Sequence, residues 1–132
     1  LLSNMETFRK YVYASQEAWE TQKALITETI ETPSGEQEVV YTNEVVMVVE
    51  LGHLCETWGT DEEGNPICEV TSPLYCVDIL WRNEPHADFV PTWVKPIGIH
   101  TFGSKHAAEY AKAYCEANPE AEYCNPPAPE EL

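Results

Sequence analysis

From Ala24 to Trp81 the chain runs for 58 residues with twelve Asp or Glu and not one Lys or Arg. A span of one sign cannot pair its carboxylates internally, so its acids must face solvent or something positive. The whole chain has 23 acids against 7 bases and a formal net charge of -16, most of it concentrated here. Its acids are interleaved with Val, Ile, Leu and aromatic residues instead of forming a block, and 43% of the chain is apolar. That composition belongs to a folded surface over a real core, not to a disordered acidic tract.

The local patterns predict an α+β domain: a mostly antiparallel sheet of about five to seven strands with two helices packed against it. Phe8 to Ala14 is rich in aromatic and β-branched residues and precedes Ser15 and good helix formers from Gln16 to Leu25, which reads as strand, N-cap and helix. One long helix from Met5, with Phe8, Val12 and Trp19 on a shared face, is the alternative. The same grammar recurs as Ile97 to Phe102, Gly103-Ser104, and a helix from Lys105 to Ala117. That helix places Ala107, Tyr110, Ala111 and Tyr114 on one stripe and Lys105, Glu109, Lys112 and Glu116 on the other side, and Asn118-Pro119 stops it.

Between these units the period changes to two. Thr32-Pro33-Ser34-Gly35-Glu36 joins Ile26 to Thr32 and Gln37 to Thr42 as a hairpin, and Asp61 to Asn65 joins a strand ending near Trp58 to Ile67 to Thr71. Leu74 to Arg82 follows with Tyr75, Val77, Ile79 and Trp81 alternating. Asn83 to Pro96 holds three prolines and reads as a structured loop anchored by Phe89 and Trp93. The domain is expected to span residues 1–118, followed by a proline-rich acidic tail over 119–132.

Parity sharpens the acidic span. Glu36, Glu38, Glu44, Glu50 and Glu56 are even, whereas Val39, Tyr41, Val45, Met47, Val49, Leu51 and Cys55 are odd. Strict alternation puts the odd set in the core and the carboxylates outside with Val46 and Val48. A Thr42-Asn43-Glu44 hairpin loop would set Tyr41 opposite Val45, Glu38 opposite Val48, and Glu36 opposite Glu50, a like-charge pair that something positive must separate. The candidate partner-binding residues are therefore Glu36, Glu38, Val46, Val48, Glu50 and Glu56, joined by the loop aromatics Phe89 and Trp93. A solvated outer face explains the same acids, but a face selected for solubility would mix both signs.

Other constellations are weaker. Five cysteines without C-x-x-C spacing read as reduced, mostly buried thiols. The expected register puts Trp58 opposite Cys68 and Cys55 opposite Thr71, which turns Cys55 and Cys68 to opposite sides and argues against a shared metal or a mutual bridge. Cys115 and Cys124 are the one pair placed for a disulfide, with two free thiols preferred. Glu84, His86 and Asp88 alternate in a stiff loop in a pattern compatible with a divalent ion or acid/base chemistry, but ordinary loop polarity accounts for them. No catalytic, cofactor or metal motif stands out.

The function expected is a non-enzymatic interaction or structural component of a larger assembly, such as a viral or phage particle or a multisubunit complex. It would dock through the acidic sheet face and ordered chain ends onto a basic protein surface or neighbouring subunits, with homo-oligomerisation compatible. An acidic inhibitor or nucleic-acid mimic capping a basic site on a nuclease or polymerase is the alternative. A small enzyme using His86 or His100 with nearby carboxylates is the third. Direct nucleic-acid binding is not expected, because phosphate would repel so acidic a chain. No stretch is long and apolar enough to span a membrane, and the chain reads as soluble, cytoplasmic or virion-associated.

Overall fold

The computed structural model describes residues 6–90, 92–94, 96 and 104–126. Its architecture is α+β, with seven strands in antiparallel sheets and two helices. In chain order these are β1 (Thr7–Tyr13), α1 (Gln16–Lys23), β2 (Thr27–Glu31), β3 (Gln37–Tyr41), β4 (Val45–Gly52), β5 (Cys55–Thr60), β6 (Pro66–Thr71), β7 (Tyr75–Trp81) and α2 (Ser104–Ala117), with short 3-10 turns at Ala24–Ile26 and Glu122–Cys124. The strand expected over Ile97 to Phe102 and the end of the tail beyond Pro126 lie outside the described residues.

The first unit forms as read: β1 gives way to α1 at Ser15, whose Oγ accepts a hydrogen bond from Ala18 N at 3.1 Å. That cap satisfies one of the orphan amides at the helix start. The long-helix alternative is thereby excluded. α2 buries Tyr110 and turns Lys105, Glu109, Lys112 and Glu116 outward, and it ends where Asn118 binds the Tyr114 carbonyl through both its backbone N and its Nδ2.

The strands form one three-stranded sheet, β1-β7-β4, and two separate two-stranded ribbons, β2-β3 and β5-β6. β7 is the central strand of the first. Its odd positions Tyr75, Val77, Ile79 and Trp81 pack with Tyr11, Trp19, Ile26, Val45 and Phe89, and on its other face Leu80 packs with Phe8 and Tyr110. Burial on both faces explains why β7 is almost wholly apolar. The exception, Asp78, is 1% exposed and directly opposes Lys10, whose Nζ donates to both carboxylate oxygens at 3.2 Å. A charge this deep requires such a partner.

β4 corrects the parity reading. It pairs with β7, not β3, so the Glu36–Glu50 and Glu38–Val48 oppositions do not occur. The register shifts between Val45 and Met47, making Val46 an extra residue, and again between Glu50 and Gly52. An inserted residue inverts the alternation beyond it. Val45 therefore packs against the core, but Val48 also turns toward that cluster, while Met47 is 50% exposed.

The cysteine reading is also corrected. Cys55 is bridged to Cys68 and Cys115 to Cys124, leaving Cys76 as the free thiol. The pairs Trp58–Cys68 and Cys55–Thr71 form as expected, yet the register shifts on both sides of Thr57 break the alternation that seemed to turn the two sulfurs apart. The second bridge holds the segment after α2 against the helix, where Tyr123 meets Tyr114 edge to face.

Candidate partner-binding surface

Two turns build the ribbons. In the first, Thr32 N donates to Glu36 O, Gly35 N donates to Thr32 O, and Gly35 takes a φ of 87° that a side chain would disfavour. In the second, the Asp61 carboxylate accepts from Glu63 N and Asn65 N, and these amides hold its pKa below the ordinary value. Each ribbon is tied at its root: Thr42 N donates to Ile26 O, and Ser72 N donates to Leu54 O at 2.7 Å. Ile26 and Ser72 are buried, but beyond them almost every ribbon residue is exposed.

The exposed acids of these ribbons are Glu28, Glu31, Glu36 and Glu38 on one and Glu56, Asp61, Glu62, Glu63 and Glu69 on the other. Neither ribbon contains a base. Large apolar side chains stand among them: Val39 and Trp58 are each 65% exposed, and Ile30, Ile67 and Val70 are also open to solvent. A two-stranded ribbon buries little on its own, so among the described residues these side chains meet no core.

The candidate residues read from parity are thus divided among three sheets. Glu36 and Glu38 belong to the β2-β3 ribbon, Val46, Val48 and Glu50 to β4, and Glu56 to the β5-β6 ribbon. Val46 is partly exposed, whereas Val48 packs on the core. Phe89 is 2% exposed and meets Tyr11, Trp81 and His86 edge to face, so it anchors its loop and has no surface to offer. Trp93 is half-buried against the Phe8, Leu80 and Tyr110 cluster, with the Arg9 guanidinium over its ring. Sequence alternation missed Trp58, Ile67, Val70 and Val39, because it assumes that every apolar strand residue has a core to face.

Glu50 has an internal role. Its carboxylate accepts from the Tyr75 hydroxyl at 2.6 Å and from Lys23 Nζ at 3.3 Å. Partial burial opposes its ionisation, but the Tyr75 hydrogen bond and the Lys23 charge outweigh it and lower the Glu50 pKa. The same hydrogen bond pushes Tyr75 up to about 12. The buried Trp19 indole adds to the lowering. Lys23, the last base before the acidic span, also lies 5.8 Å from the Tyr41 ring centroid.

In the Glu84 to Asp88 loop the histidine meets one carboxylate, with His86 Nδ1 3.9 Å from Asp88 Oδ2. His86 Nδ1 accepts from Asp88 N at 3.1 Å, which stabilises the loop itself, and Glu84 is exposed. Among the described residues no group of three His, Cys, Asp or Glu is placed to share a metal ion. Two open depressions, of about 320 Å³ beside Glu6, Arg9, His106 and Glu109 and about 520 Å³ between Asn43, Glu44, Arg82 and Glu84, and an apolar cavity of about 80 Å³ between Lys10, Leu51, Cys76 and Asp78 mark the described surface. No described helix is long and apolar enough to cross a membrane. No known family model, curated protein or solved structure matches the chain.

Proposed function

We propose that the chain is a non-enzymatic docking component of a larger assembly, which meets a basic partner surface through its two acidic ribbons. The observation that carries this reading is the pair of exposed, base-free ribbons, with nine acids interspersed with open Val, Ile and Trp side chains. A surface built for solubility alone mixes charge signs and hides large apolar groups. Apolar side chains supply contact area, and the surrounding carboxylates steer the encounter and reject anionic competitors. Two disulfides suit an oxidising compartment or the outside of a particle better than a reducing cytoplasm. The inhibitor reading uses the same acids but places the partner's nucleic-acid site under them.

The test is affinity capture from the native host with the full chain as bait, washed at about 0.05 M and about 0.5 M salt. A basic partner held at low salt and released at high salt is expected. Retention unchanged at high salt would remove the electrostatic reading. Displacement of the partner by duplex DNA would favour the inhibitor over the assembly component.

A further inference from the structure

Going deeper into the docking surface, and resting on that reading, we infer that Trp58 is its anchor. Its indole enters an apolar pocket on a partner segment whose rim is cationic. Trp19 and Trp81 are fully buried and Trp93 packs on the core, so Trp58 alone among the described tryptophans is mostly exposed. It directly opposes Cys68, which is bridged to Cys55, so the indole stands on a ribbon whose strands are covalently tied at that level. A large aromatic group on pre-ordered backbone loses little entropy on binding, and Trp is enriched among interface hot spots for this reason.

The surroundings select the occupant. Glu56 and Glu69 lie at the register shifts beside Trp58, and Asp61, Glu62 and Glu63 form the tip. The Glu69 side chain lies across Gly59, where a Cβ would come within 1.9 Å of its Oε1; strand alternation turns that position away from the Trp58 indole, so this carboxylate sits on the opposite face of the same ribbon. With no base on the ribbon, a second copy docking arm to arm and an anionic surface are both repelled. A segment that alternates cationic and apolar side chains satisfies the carboxylates and the indole together.

The test titrates the full chain with a synthetic peptide of alternating Lys and Val, measuring affinity by calorimetry and, in the parent, following tryptophan emission and quenching by neutral acrylamide. Binding should shift the emission to the blue and protect Trp58 from acrylamide. Trp58→Ala should weaken binding at least about 10-fold, and Trp58→Phe by less, with unchanged circular dichroism. A peptide with Glu in place of Lys, and zwitterionic phosphatidylcholine vesicles, should cause no shift. The anchor is overturned if the peptide fails to bind, if Trp58→Ala binds it as tightly as the parent, or if the vesicles produce the shift. Salt-sensitive binding to the native partner that survives Trp58→Ala would reject the anchor and leave the acidic docking surface standing. Absence of salt-sensitive binding altogether would remove the docking surface itself.

Discussion

Replacing Cys55 and Cys68 together by Ser removes the covalent tie within the β5-β6 ribbon. The bridged residues are 13 apart in sequence, and closing a loop of that size restricts the open chain by about 3 kcal/mol. An isolated two-stranded ribbon is marginal in water, so this contribution is comparable to everything else holding the ribbon closed. The ribbon forms its own sheet and joins the core at its root, through the Ser72 N to Leu54 O bond. Its loss should therefore be local. Amide hydrogen exchange resolved by segment provides the assay: residues 57–70 should open on the order of 100-fold more often, while β7, paired on both sides, keeps its protection. Unchanged ribbon exchange, or equal acceleration in β7, would refute the idea that the bridge serves this arm.

Three further outcomes follow from the core. Asp78→Ala removes the carboxylate that faces the buried Lys10 ammonium and should cost about 3–5 kcal/mol in urea unfolding, much of it recovered by Lys10→Met with Asp78→Leu; a loss under about 1 kcal/mol would contradict the buried pairing. Phe89→Ala should cost about 3–5 kcal/mol, because it empties a site enclosed by Tyr11 and Trp81, and a neutral effect would restore Phe89 as a surface residue. Because the folded pKa of Glu50 is lowered, its ionised form stabilises the protein above the usual carboxylate range, and that stability is lost as pH falls through the lowered value. Tyr75→Phe removes the main lowering hydrogen bond, so the Glu50 carboxyl should titrate at higher pH by NMR and the acid limb of the stability curve should flatten; an unmoved titration would contradict the Tyr75 assignment.

The parts legible in the sequence were those specified by neighbouring residues. Ser15 before helix formers, Pro33-Ser34-Gly35, and Asp61 with Gly64-Asn65 each carry the hydrogen-bonding or backbone chemistry of the element that forms. What failed depended on distant residues. Thr42-Asn43-Glu44 has the composition of a hairpin loop, but β4 finds a better partner in β7, whose buried face needs cover on both sides. The inserted Val46 then inverts the parity from Met47 to Glu50, until the second register shift, which is why Glu50 points toward Tyr75 and Lys23 instead of joining Glu36. Paired register shifts around Thr57 likewise bring Cys55 to Cys68, although Trp58 does oppose Cys68 and Cys55 does oppose Thr71 as the turn chemistry predicts. The acidity of the surface was plain from composition, but its location on two ribbons with open apolar side chains required the sheet topology.

Changing all nine ribbon acids to the isosteric amides tests docking through the acidic ribbons most directly. Glu28, Glu31, Glu36, Glu38, Glu56, Glu62, Glu63 and Glu69 become Gln and Asp61 becomes Asn, each at an exposed position outside the core. Affinity for the basic partner captured from the native host is then measured by calorimetry at low and high salt, beside the thermal stability of the variant. A large loss of affinity and of its salt dependence is expected, while the three-stranded core unfolds as in the parent. Affinity and salt dependence equal to the parent's would contradict docking through the acidic ribbons.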